Sequence, residues 1–353
     1  MGIEKIDKNF AVKTSTGEDV EFYSVKNPPF EVDGLAWFNE NKEFVRIKKE
    51  DRKNLNEGVR FLSDHTSGGC VRFKTNSSFI AIKATVMDST TMNHMTRVGS
   101  AGFDVYVNNE FKYMAVSSDQ TDKIDCMPSV NLGREEKEIT INFPLYNGVK
   151  ELYIGLEKGS TLSAPKPYSI DKPVLFYGSS ITQGGCASRP GNSYTTMISR
   201  WLDIPVLNFG FSGNAKGETE MAELIASIDM SCFVFDYDHN APNPEHLKAT
   251  HEPFFKIIRE KHPNLPVIFI TRANNCDLPD TIKRREIIYK TYQNALENGD
   301  KHVYFLNGKE IYTDEDCDAC TVDGCHPNDL GFYRMGKAIC PLVEKALKNA
   351  NIL

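Results

Sequence analysis

From Val174 to the C-terminus, short apolar runs alternate with longer stretches of helical period. The runs are Val174–Tyr177, Val206–Phe209, Cys232–Tyr237, Val267–Thr271 and His302–Leu306. Between and after them lie Tyr194–Leu202, Glu218–Ile228, Pro244–Lys261, Pro279–Glu297 and Leu330–Lys348. Strands interleaved with helices form βαβ units, because a parallel neighbour is reached only through a crossover. Residues 172–353 are therefore expected to form an α/β domain, a parallel sheet between two helical layers in a three-layer α/β/α arrangement.

The preceding residues follow another pattern. Candidate strands at Val20–Val25, Leu35–Asn39, Gly58–Ser63, Val71–Thr75 and Phe79–Met87 recur at the short spacing of an all-β sandwich. More follow at Phe103–Asn108, Phe111–Val116, Glu138–Phe143 and Glu151–Leu156. Phe103, Val105 and Val107 alternate with Asp104 and Tyr106, so one set faces a core. Asn108 and Asn109 read as a tight turn, since Asn tolerates positive φ. Pro165, Pro167 and Pro173 mark the junction, which places a β-sandwich domain over residues 1–165.

In open α/β sheets, ligands bind beyond the carboxyl ends of the strands. The first strand is followed by Gly178-Ser179-Ser180-Ile181-Thr182, the second by Gly210-Phe211-Ser212-Gly213, and the third leads into Asp238-His239-Asn240-Ala241. Asp323-Gly324-Cys325-His326-Pro327 precedes the last helix. A serine hydroxyl becomes a competent nucleophile when an imidazole takes its proton and a carboxylate orients that imidazole. The oxyanion formed on attack needs preorganised donors, which a glycine N–H and an Asn amide can supply. One sheet edge therefore collects the groups that acyl transfer requires.

These ordered blocks resemble those of the SGNH (GDSL-type) serine hydrolases. The resemblance implies Ser180 as nucleophile, His326 as general base and Asp323 as its orienting acid. It implies an oxyanion hole built from the Ser180 N–H, the Gly213 N–H and the Asn240 side chain. Gly102-Phe103-Asp104-Val105-Tyr106, with Ala187-Ser188-Arg189-Pro190-Gly191, is similar to a bacterial subgroup carrying an N-terminal jelly-roll-like sandwich. Many members of that subgroup act on O-acetylated carbohydrates, so an acetylated oligosaccharide is the expected substrate. Two positions depart from the family pattern: Ser179 replaces the usual Asp, and Asp238 replaces the usual Gly. Asp238 and His239 are expected to contact substrate. Two other readings stand beside hydrolysis: acyl transfer to an acceptor other than water, and carbohydrate binding without turnover.

Composition removes several classes. The charge balance of 41 Lys+Arg against 48 Asp+Glu disfavours a nucleic-acid partner. No run of 18 apolar residues predicts a membrane span, and Met1–Lys8 has no apolar signal core, so a cytoplasmic protein is expected. The cysteines number 9, an odd count that predicts reduced thiols rather than a disulfide framework. Cys317, Cys320 and Cys325 are read as loop thiols, because His326 cannot be both zinc ligand and general base. Asp314, Asp316 and Asp318 begin like a calcium loop, but Ala319 and Cys325 stand where Gly and Glu are needed. No metal or organic cofactor is expected. A homo-oligomer is compatible with the sequence, and Trp37 and Met92–Met95 are read as packing residues.

Overall fold

The computed structural model describes residues 6, 19–117, 121–274, 277–312 and 315–353. Cys276 and Asp314 lie outside the described residues. The chain forms two units. The first comprises residues up to Val45, Asp64–Lys166 and Ser188–Gly191; the second comprises Arg46–Ser63, Pro167–Ala187 and Asn192–Leu353. A single cut near residue 165 does not give this division, because residues 46–63 and 188–191 each join the opposite unit.

The first unit is built on antiparallel strands β1 (Val20–Ser24), β2 (Glu31–Asp33), β3 (Cys70–Thr75), β4 (Ile80–Val86), β5 (Phe103–Val107), β6 (Glu110–Ala115), β7 (Lys123–Cys126), β8 (Lys137–Asn142), β9 (Val149–Glu157) and β10 (Leu162–Ser163). One sheet has the order β1-β9-β4-β7; the other runs β10-β3-β8-β5-β6, with β2 also paired to β3. Ile80, Ile82 and Ile154 of the first sheet share one apolar core with Phe73, Phe103, Val105, Ile139 and Ile141 of the second. The expected turn between β5 and β6 is present, with φ of 50° at Asn108 and 67° at Asn109. That positive pair matches the strand twist in a two-residue hairpin.

Two expected strands are helical instead. Trp37 precedes the short helix α1 (Phe38–Asn41), and Gly58–Ser63 overlaps α2 (Glu57–Leu62). Val59 and Leu62 are buried three residues apart while Phe61 is 56% exposed, so the apolar positions fit one helical face as well as an alternating strand. The Asn56 side chain caps α2 by accepting the Val59 N–H at 2.9 Å. The strands β2, β7 and β10 and the helix α3 (Arg97–Ala101) are additions that the sequence pattern did not predict.

The Gly102–Tyr106 motif explains why residues 188–191 belong to the first unit. Asp104 is fully buried and accepts from Asn142 Nδ2 at 2.8 Å, from Gly191 N–H at 2.7 Å and from Arg189 Nη1 at 3.0 Å. Arg189 also donates to the Tyr106 hydroxyl and lies over the Phe111 ring at 4.0 Å. Asp104→Ala would leave a partly buried guanidinium, a buried amide and a backbone N–H without this acceptor. A loss of about 3–5 kcal/mol is expected in urea unfolding of the full chain. A loss below about 1 kcal/mol would show that the motif contributes little to stability.

The second unit carries a parallel sheet of β11 (Val174–Gly178), β12 (Val206–Gly210), β13 (Cys232–Asp236), β14 (Val267–Ile270) and β15 (Val303–Leu306), in the order β12-β11-β13-β14-β15. The helices are α4 (Ser180–Gln183), α5 (Tyr194–Leu202), α6 (Thr219–Ala226), α7 (Pro244–Lys261), α8 (Pro279–Glu297) and α9 (Asp329–Asn349). α5 packs on α9, while α6, α7 and α8 pack in succession, giving the expected α/β architecture. Strand order reverses at β11, the switch point where ligand crevices form in such sheets. Phe254 of α7 stacks on Tyr177 with ring centroids 5.0 Å apart, and His251 stacks on Phe235 at 4.5 Å, seating α7 on the sheet centre. No helix among the described residues is long and apolar enough to cross a membrane.

Candidate active site

Ser180 opens α4 directly after β11. The helix is capped by Ser179, whose hydroxyl accepts the Ile181 N–H at 3.2 Å, so the Ser180 hydroxyl is not needed for the cap. Gly178 allows the turn to lie flat on the neighbouring strand. A Cβ there would stand 2.0 Å from Thr182 Oγ1 and 2.5 Å from the Asp236 carbonyl oxygen. Ser180 is consequently held at the sheet edge, 8% exposed.

His326 comes from the loop before α9, and its Nε2 lies 2.9 Å from Ser180 Oγ. The Nδ1 lies 2.7 Å from Asp323 Oδ2. Asp323 Oδ1 accepts the backbone N–H groups of Cys325 at 3.0 Å and His326 at 2.7 Å, a local turn that aims the carboxylate at the ring. Burial pushes the Asp323 carboxyl up, but the His326 N–H groups and the Cys325 N–H outweigh it and hold it at about 2. The acid is therefore ionised. With Nδ1–H donated to it, Nε2 faces Ser180 with its lone pair. The loop is tied to the strand of chain after α4 by the Cys186 N–H, which donates to the Pro327 carbonyl at 3.0 Å.

Gly213 and Asn240 complete the arrangement. Gly213 has φ of 69°, a conformation in which glycine is unstrained. Its N–H makes no hydrogen bond among the described residues. The adjacent Ser212 N–H is held by Gln183 Oε1 at 3.0 Å, which links this loop to α4. Asn240 Nδ2 donates to the Phe211 carbonyl at 2.8 Å, leaving its second N–H for another acceptor. The amide of Asn240 and the loop carrying Gly213 are thus joined at Phe211.

Buried arginines hold this edge. Arg46 is 1% exposed and donates to the carbonyls of Asn208 and Gly210 at the end of β12 and to that of Leu62. Its guanidinium lies 4.5 Å from the centre of the Phe211 ring. Asn56 Nδ2 adds a bond to the Asn214 carbonyl at 3.0 Å. These contacts are why residues 46–63 belong to the α/β unit.

Asp238 differs from expectation. Asp238, expected to contact substrate, is fully buried, and its carboxylate is engaged by Arg272 and Arg284. Burial opposes its ionisation, but Arg272, by its charge and its backbone N–H, and Arg284 hold its carboxyl below the usual range. Its neighbour Asp236 is pushed up to about 8 by burial and then by the Asp238 charge, against hydrogen bonds from Tyr194 and Thr182. His239 is lowered to about 3, first by burial and then by Arg272, so the ring is neutral. Its Nδ1 lies 3.8 Å from Cys325 Sγ, and its Nε2 is buried without a hydrogen-bond partner among the described residues. Arg272 directly follows the run Val267–Thr271 and was legible as a strand-end residue. Arg284, inside α8, and Arg46, in the other half of the sequence, carried no local signal.

Comparison with known proteins is in keeping with this geometry. Residues 171–344 match the GDSL-like lipase/acylhydrolase family, and residues 20–162 match the N-terminus of Esterase_SGNH_hydro-type proteins. A structure from Bacteroides ovatus described as a GDSL-like lipase is 30% identical, with a TM-score of 0.84 over 94% of this chain and 98% of that one. A salicylyl-acyltransferase of a tetracycline biosynthetic pathway shares the fold at 18% identity and a TM-score of 0.76, over 94% and 98% of the two chains. An acetyl xylan esterase from the rumen bacterium Butyrivibrio proteoclasticus shares it at 15% identity and 0.58, over 94% and 99%. No functionally curated protein sequence matches the chain.

Proposed function

The chain belongs to the GDSL-like lipase/acylhydrolase family, with the N-terminal β-domain of SGNH-type esterases, and on that premise we propose that it removes small acyl groups, chiefly O-acetyl, from carbohydrates. The observation that carries the reading is the unbroken line Ser180 Oγ, His326 Nε2, His326 Nδ1, Asp323 Oδ2, at 2.9 and 2.7 Å. In this reading Ser180 attacks the acyl carbonyl while His326 takes its proton. The Gly213 N–H and the free Asn240 N–H receive the oxyanion. His326 returns the proton to the departing sugar oxygen, and then activates the water that releases the acid. Asp323 stays ionised throughout and stabilises the imidazolium. The acetyl xylan esterase of the same fold supports the carbohydrate part of the proposal.

The test is nitrophenol release from nitrophenyl acetate, butyrate and octanoate, and acetate release from an acetylated oligosaccharide mixture, with Ser180→Ala run in parallel. Serine-dependent release that favours acetyl, and includes the oligosaccharides, is the expected result. Preference for octanoyl would overturn the acyl-size assignment. Product diverted from free acid by rising alcohol concentration would favour acyl transfer. For Asn240→Ala, loss of one oxyanion donor predicts a fall of ~10²–10³ in kcat with little change in KM. An unchanged kcat would assign that role to another group.

A further inference from the structure

We propose that Asp238 is a positioning residue: with Arg284 and Arg272 it clamps the turn 238–241, and so sets the Asn240 amide in place. The inference rests on the reading of Asn240 as an oxyanion donor. Arg284 Nη1 reaches the carbonyls of both Asp238 and Ala241 at 3.0 Å, the first and last residues of the turn. The same nitrogen lies 3.3 Å from Asp238 Oδ1. Arg284 is 4% exposed and is itself anchored within α8, where its Nε donates to Asp280 Oδ2 at 2.6 Å. On the other side, Asp238 Oδ2 accepts the Arg272 backbone N–H at 3.0 Å, which ties the turn to the chain leaving β14. Between the clamped ends, the Asn240 N–H donates to the Tyr237 carbonyl at 2.9 Å and its side chain to the Phe211 carbonyl at 2.8 Å.

A turn held at both ends by one guanidinium cannot rotate its middle residue without breaking charge-assisted bonds. The carboxylate at 238 keeps two guanidinium groups, one of them buried, at this spot, since buried charge persists only when paired. A glycine at 238, the residue the family pattern would place there, offers no such anchor. Asp238 thus acts on the reaction through Asn240 without touching substrate.

The test is a double-substitution cycle on the full chain. The kcat and KM for nitrophenyl acetate are measured for the native protein, Asp238→Asn, Asn240→Ala and the pair, with thermal melts beside them. Asp238→Asn is expected to lower kcat by ~10²-fold with KM held within about threefold, the cost of a donor displaced by about an ångström. In the Asn240→Ala background the same substitution should cost less than about threefold, because the donor it positions is already gone. Arg284→Lys keeps the charge but lacks the planar fork, and should show a smaller loss with the same non-additivity; it carries the cycle if Asp238→Asn does not fold. Equal losses in both backgrounds, or native kcat in a folded variant, would overturn the positioning role and leave the oxyanion reading standing. A native kcat in Asn240→Ala alone would remove the oxyanion reading and this inference with it.

Discussion

Ser180→Ala is expected to lower kcat for acetyl esters by at least ~10⁴-fold while leaving the fold intact. The effect is large because the substitution removes the atom that would form the acyl-enzyme, and water at the same place lacks its positioning. The fold should tolerate it. Ser179 supplies the cap of α4, and the Ser180 hydroxyl is bonded to His326. A methyl group in place of the hydroxymethyl opens only a small gap in a residue that is 8% exposed. Acetate release measured beside a thermal melt checks both halves of the expectation. Activity within tenfold of the native protein, in a sample that melts normally, would remove Ser180 from the chemistry.

His326→Ala should be nearly as damaging, by ~10⁴-fold, and the pair Ser180→Ala/His326→Ala should be no worse than either alone. Two groups that act in one proton transfer are lost together when either is removed. Asp323→Asn should lose less, since an Asn Oδ1 can still accept the His326 and Cys325 N–H groups and the Pro327 anchor on Cys186 is untouched. A His326→Ala enzyme that keeps substantial turnover would mean that a different base serves Ser180. Because the Asp323 carboxyl sits at about 2, below the usual 3.8, its stabilising contribution is complete above pH 4 and is lost only as pH falls through about 2. Stability should therefore fall less between those values in Asp323→Asn, which starts from lower stability at neutral pH and has no carboxylate to protonate.

Much of this site was legible from residue types at strand ends. Ser180, Gly213 and Asn240 follow the first three strands of the α/β unit, and Asp323 and His326 share one short loop. Their mutual approach follows from a parallel sheet, which delivers the carboxyl ends of all its strands to one edge. Asp238 was misread for the opposite reason. Its position at the same edge suggested a substrate contact, but its carboxylate is closed off by Arg284, from the middle of α8, and by Arg272. Gly58–Ser63 was misread because six residues whose apolar side chains, Val59, Phe61 and Leu62, stand two and three positions apart satisfy both periods.

The sequence by itself determined the two fold classes, the order of the chemistry-bearing blocks and the Asn108-Asn109 turn. Each of these is written in local periodicity or in the backbone preference of single residues. Only the tertiary structure decided that Arg46 and Asn56 belong with the α/β unit, that Asp104 binds the stretch 188–191, and that Asp238 faces two arginines. All three are pairings of buried or partly buried polar groups across 34 to 162 residues of chain. Burial makes such groups demand a partner, but which distant residue supplies it depends on how the elements pack, and no local pattern encodes that.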